Sequence, residues 1–255
     1  MTDLSFDAGT VAGLLFAVTR VSGLVLGAPQ LARRVPAVGR TALALSVGWF
    51  LSYPVDEASL TTAGLVSGVV VNIVVGLVLG FIATLIFQVF STAGGVIDIT
   101  SGLGISAVFD PNSGVQVTIF ERFFDLVAVT LFFVLGGPRL MVAGLAGTLR
   151  VVPLDGSIQL KSNLADLAVE SLGRFFLAGL EIAMPALAAL FLAEVVLGVA
   201  ARMLPEANIF LLGLPLKLGI VLVAVVVVLL SFPAVTRAGM TEMQQLMIAV
   251  TGSLG

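Results

Sequence analysis

The chain alternates long apolar runs with short polar connections. The clearest run, residues 213–235, reads GLPLKLGIVLVAVVVVLLSFPAV, and its stretch 220–232 carries no charge. So many valines suit a buried strand, but ~20 apolar residues is the span of a bilayer-crossing helix, and length decides for helix. A second run, 64–90, contains GLVLG, which sets Gly76 and Gly80 four apart on one helix face. That spacing lets two backbones approach closely. A third run covers 9–28. A fourth, 115–136, opens with Glu121, Arg122 and Asp125 and closes with FFVLGG. The fifth, about 164–204, is too long for one crossing at ~1.5 Å rise per residue. Pro185 near its middle predicts either a bent helix or a helical hairpin. Residues 38–51 are a weaker candidate, with Arg33, Arg34 and Arg40 around their start and Tyr53-Pro54 after them.

The connections are short. Residues 31–40 are basic and include Pro36; 53–62 are polar and acidic; 138–162 hold Arg139, Arg150, Pro153, Asp155-Gly156 and Lys161. After Thr236 the tail has room for roughly one amphipathic helix. Basic residues fall in several connections, so the positive-inside rule fixes no orientation. The start carries Asp3 and Asp7 with no basic residue before Arg20, unlike a signal peptide, and is expected to be a retained helix. No linker, long charge run or repeat divides the chain. The expected fold is therefore all-α, a polytopic membrane bundle with kinked helices, and 1–255 is expected to act as one domain.

Composition strengthens this picture. The chain of 255 residues is 59% hydrophobic and only 11% charged, where a soluble domain carries about a quarter charged residues. Too few charges exist to cover a water-facing surface, so lipid or apolar protein must surround much of the chain. There is no cysteine and no histidine. That excludes disulfides, thiolate nucleophiles, His or Cys metal sites and a histidine general base. A net charge of −3 gives no nucleic-acid footprint. No cofactor signature is present.

Charges inside the apolar runs are the first functional candidates: Arg20, Glu121, Arg122, Asp125, Arg174, Glu181, Glu194, Arg202 and Lys217. Each costs at least ~2.5–3.5 kcal/mol at a bilayer centre, so each should face a bundle interior, a partner subunit or water. Ion pairs that fix helix register are favoured over an ion or substrate path. Glu121 and Asp125 share a helix face, and Glu170 and Arg174 have the same spacing.

Two segments stand out. Residues 93–109, AGGVIDITSGLGISAVF, precede Asp110-Pro111 and hold Gly94, Gly95, Gly102 and Gly104 with Asp98 among small residues. Glycine content and the Asp-Pro turn predict an apolar loop between two helices at membrane depth. Irregular backbone there must be buried in protein or line a cavity, which makes the segment a re-entrant turn or a pore constriction. A phosphate loop is a poor third, since no GK[ST] follows. Residues 202–217, RMLPEANIFLLGLPLK, predict a helix end near Pro205 and a new first turn at Pro215. Neither segment carries HExxH, GxSxG or any other catalytic motif.

At these segments the chain resembles the FliR family of type III export-gate proteins, whose relatives serve virulence secretion. The resembling features are Arg20, Pro29 and Arg33 to Pro36; Ala93-Gly94 to Asp98; Gly104 to Asp110-Pro111; and, most specific, Arg202, Pro205, Asn208-Ile209-Phe210, Gly213, Pro215 and Leu216. The resemblance covers essentially the whole chain. It implies a non-enzymatic subunit of the flagellar basal body in the bacterial inner membrane, built like a FliP-like part fused to a FliQ-like part. It implies FliP-like, FliQ-like and FlhB-like partners, surrounding lipid, and an unfolded secreted protein as passing substrate. It also implies that the loop closes the pore as a plug, with Ile105, Val108 and Phe109 as apolar side chains and Gly102 and Gly104 giving freedom to move. The competing readings are a small secondary transporter or ion channel using Glu121, Asp125, Glu181 and Glu194, and an intramembrane enzyme using Glu121 with Asp125. The first lacks paired halves and the second lacks a catalytic set.

Overall fold

The computed structural model describes residues 7–56, 60–103, 119–156, 164–203 and 209–254. Among them are eight α-helices and no strand: α1 Ala8–Gly27, α2 Pro29–Ala32, α3 Ala37–Leu51, α4 Thr62–Ser101, α5 Ile119–Val134, α6 Gly137–Thr148, α7 Leu164–Met203 and α8 Ile209–Leu254. Four are long and apolar enough to cross a membrane: α1, α4, α7 and α8; α5 and α6 make a fifth span if taken as one broken pair. At 40 residues each, α4 and α7 rise about 60 Å, twice a hydrocarbon core. At 15 residues, α3 falls short of a crossing.

By contacts the chain divides into two compact units, Met1–Ile86 with Leu135–Glu170 and Gly239–Gly255, and Phe87–Val134 with Ser171–Ala238. Helices α4, α7 and α8 contribute to both. In the first unit α1 and α4 meet on glycine. A Cβ on Gly76 would strike the Arg20 carbonyl and Gly23 Cα, and one on Gly80 would strike Gly27. The Gly76 and Gly80 pair thus faces a matching pair, Gly23 and Gly27, and Thr84 Oγ1 donates to the Gly27 carbonyl across the seam (3.2 Å). Helix α3 lies on α1 where Gly48 meets Val18, and the chain after it closes over α1, with Val55 N donating to the Gly9 carbonyl (3.1 Å). Phe16, Ala12, Ala17, Val55 and Leu154 form the local core.

The second unit is organised by aromatic rings. Phe120, Phe124, Ala128 and Phe132 recur every four residues on α5 and are buried. Phe124 meets Phe232 of α8 with ring centres 4.8 Å apart; Phe232 also meets Phe90 of α4 at 4.6 Å, and Phe132 meets Phe87 at 5.1 Å. These are tilted and edge-to-face contacts that suit ring quadrupoles.

Four sequence expectations need correction. Residues 93–101 are not loop but the last turns of α4, because Gly94 packs backbone to backbone on α5 and is not a breaker. Residues 138–148, expected in a connection, lie in α6, which left-handed Gly136 (φ 86°) releases from α5 and which has Pro138 in its first turn. The fifth run is one helix, α7, so the hairpin alternative fails; Pro185 sits inside it. Pro215, expected in a first turn, lies inside α8, which begins at Ile209 and carries on past Pro233 through the tail after Thr236.

Candidate functional site

Two polar centres stand in the apolar scaffold, one in each unit. The first surrounds Arg20, which is 1% exposed. Its Nε donates to Asn72 Oδ1 (2.7 Å), Nη1 to Thr148 Oγ1 (3.1 Å), and Nη2 to the carbonyls of Val152 (2.9 Å) and Pro153 (3.3 Å). Asn72 Nδ2 in turn donates to the Gly68 and Leu154 carbonyls, and Leu154 N donates to the Tyr53 hydroxyl (2.9 Å). The sequence places Arg20 as a buried charge, which it is; the expected ion pair is replaced by neutral acceptors. The Val152 and Pro153 carbonyls are supplied by the turn after α6, and that of Pro153 also accepts from Gly156 N (3.2 Å). One guanidinium thereby ties α1, α4 and the 152–154 turn together with directional, charge-assisted bonds.

The second centre joins α4 to the start of α5. On α4, Ser91, Gly94 and Asp98 fall on one face. Gly94 lets the backbones of residues 120 and 121 approach. Asp98 Oδ2 accepts from Glu121 N (2.9 Å), and Ser91 Oγ donates to Glu121 Oε1 (2.9 Å). Asp98 therefore does for α5 what an N-cap side chain does, from a different helix: it satisfies an orphan N–H and places negative charge at the positive end of the dipole. Asp98 is fully buried, and its Oδ1 has no hydrogen-bond partner among the described residues.

The other predicted residues are scattered. Asp125 is half-buried one turn beyond Glu121, whereas Arg122 points outward. Arg174, Glu181, Glu194 and Arg202 are on exposed faces of α7, and Lys217 pairs with Glu194 across 2.6 Å. Of the plug residues, Gly102 is described: it ends α4 with φ 84°, its N–H donating to the Ile99 carbonyl (3.2 Å). It is a helix-terminating glycine in the left-handed region. Gly104, Ile105, Val108 and Phe109 lie outside the described residues, as do Pro205 and Asn208. Asn72 and Thr148 were missed, because a neutral polar residue in an apolar run carries no signal of a partner far along the chain. Among the described residues no group of carboxylates is arranged to hold a metal ion.

Membrane-length helices joined by buried hydrogen-bonded centres define a polytopic α-helical membrane protein. The chain belongs to the bacterial export proteins, family 1, whose model matches residues 11–243; this is a family of export components and not of enzymes. It is similar to the flagellar biosynthetic protein FliR of Aquifex aeolicus (strain VF5), 32% identical over 61% of this chain and 58% of the relative. It is also similar to the FliR of Escherichia coli (strain K12), 34% identical over 57% of this chain and 56% of that one. The surface presentation of antigens protein SpaR of Shigella flexneri is 29% identical over 52% and 51%. The chain thus spans just over half the length of the curated relatives it matches.

Proposed function

We propose that the chain is a structural and pore-forming subunit of the flagellar type III export gate in the bacterial inner membrane, acting as a single export-gate domain. Its partners are FliP-like, FliQ-like and FlhB-like subunits, and an unfolded secreted protein is the passing substrate. The flagellar assignment follows the FliR relatives. One structural observation carries the assembly reading: the apolar windows of α7 and α8 are only 28% buried, yet Glu181 and Glu194 stand exposed among Phe176, Leu177, Phe191 and Leu192. Hydrocarbon is a poor environment for the Glu181 carboxylate and for the exposed Glu194–Lys217 pair, and water is a poor one for the rings beside them. A surface of neighbouring subunits suits both.

Within this reading the segment after Gly102 is the plug, with Ile105, Val108 and Phe109 supplying an apolar constriction that opens for an unfolded chain. Asp98 and Gly102 give it a fixed point of departure. The deciding experiment is co-expression with FliP-like and FliQ-like subunits, followed by native mass spectrometry. A discrete hetero-assembly is expected. A stable monomer that moves a small solute in vesicles would replace this reading with the transporter one. In the assembled gate, glycine at 105, 108 and 109 together is expected to raise ion conductance; unchanged conductance removes the plug role.

A further inference from the structure

The first unit holds a cleft away from the Arg20 centre, between α6 and the C-terminal part of α8. Its volume is about 350 Å³, at the low end of the range for small-ligand sites. On the α6 side Leu140, Ala143, Gly144 and Gly147 form one face, each three or four residues from two of the others. Three small residues in that row make a trough. Met247 forms the opposite wall: a Cβ on Gly144 would strike its sulfur, so the trough is narrow there. A Cβ on Gly147 would meet nothing within 4 Å, so the trough widens toward that end.

At the wide end stands Arg150, the charged residue of the lining. It is exposed, and among the described residues it has no ion pair. Gln244 adds an amide to the lining. An apolar trough ending in a solvent-facing guanidinium is complementary to an amphipathic anion: alkyl chain along the small residues, phosphate on the cation. Of the two walls, α8 is of membrane length by itself and α6 completes a span together with α5, so the amphipathic anion at hand is a lipid. We propose that this cleft binds one anionic phospholipid, with an acyl chain lying over Gly144 and Gly147 and the phosphate on Arg150. The site stands apart from the pore reading and does not depend on it.

The test uses the full chain purified from its native membrane with whatever subunits accompany it, delipidated and then exposed to phosphatidylglycerol or phosphatidylcholine before native mass spectrometry. The wild type is expected to retain phosphatidylglycerol about fivefold better, the preference one arginine near an anionic headgroup confers. Arg150→Gln should abolish the preference while leaving weak retention of both lipids. Gly147→Leu should abolish retention of both by filling the trough. Neither change threatens folding, since Arg150 is exposed and the new side chain at 147 enters open space. Equal retention of the two lipids, or wild-type retention by Gly147→Leu, would overturn the proposal. So would full displacement of the lipid by inorganic phosphate, which would mean that the acyl chain contributes nothing. A photo-crosslinker at position 147 that captures a protein subunit and no lipid would assign the cleft to a partner helix and overturn it as well.

Discussion

Arg20 and Asp98 are both charged and both buried, but they hold the fold in opposite ways. Arg20 spends every nitrogen of its guanidinium on a neutral acceptor. Removing it strands the Asn72 amide oxygen and the Val152 carbonyl, whereas Thr148 and Pro153 keep other bonds, and each buried unsatisfied group costs about 1–3 kcal/mol. Arg20→Leu is therefore expected to lower the thermal unfolding temperature in detergent sharply and to reduce the amount of chain recovered from membranes. Arg20→Lys should fall between, since a single ammonium cannot span the donors of the planar fork; thermal unfolding of both variants checks the order. Asp98 supplies one oxygen to one N–H. Asp98→Asn keeps an acceptor there and should be mild, whereas Asp98→Ala should lose about 1 kcal/mol as an N-cap deletion does. Equal stability of Asn and Ala variants would remove Asp98 from that role. Sequence exposed the charges themselves, since any arginine or aspartate in an apolar run is conspicuous. It did not expose their partners: Arg20 meets Asn72 and Thr148 at separations of 52 and 128 residues, which no local pattern encodes.

At the scale of elements, run length was a reliable guide where helices are apolar throughout. The bounds of α1 and α3 follow the hydrophobic pattern closely. Errors arose where a glycine or proline inside an apolar run was read as punctuation, whereas Gly102 and Gly136 do end helices. Gly94 lies inside a helix because a neighbouring helix needs the space, and Pro185, Pro215 and Pro233 lie inside helices because membrane-length segments tolerate proline when packing or local adjustment satisfies the freed carbonyl. Glycines therefore divide into two kinds, and substitution separates them. Gly76→Leu or Gly80→Leu drives a side chain into the backbone of α1, so a stable chain should not accumulate. Gly173→Ala enters open space and removes a helix-interior glycine, so it should be neutral or stabilise by about 0.5–1 kcal/mol. Quantitative immunoblotting of membrane fractions with thermal unfolding of the purified variants distinguishes the two groups. Destabilisation of the same size in both would remove the close α1–α4 crossing as the explanation for Gly76 and Gly80.

The whole molecule shows an imbalance that bears on what surrounds it. The apolar windows of α1 and α4 are 50% buried by the chain itself, those of α7 and α8 only 28%. Helices in lipid alone need no such cover, because lipid tails are as apolar as leucine. The difference becomes informative through Glu194 and Lys217, whose pair sits on the uncovered side with Glu194 53% exposed. Gly198 and Gly219 lie close by in sequence, both exposed, and a Cβ on either meets nothing within 4 Å. A large side chain at those positions leaves the isolated chain undisturbed and protrudes into whatever covers it. If protein covers this face, Gly219→Trp and Gly198→Trp should leave membrane insertion and monomer stability intact, yet reduce recovery of the hetero-assembly severalfold, since overpacking an interface costs about 1–3 kcal/mol. Under the proposed function, motility of a flagellated strain that depends on this chain should fall in parallel. If lipid covers the face, a tryptophan is readily accommodated and both assembly and motility stay at wild-type levels. Those two outcomes differ in the mass of one complex, and they decide whether the exposed apolar faces of α7 and α8 are lipid contacts or the seam of the proposed assembly.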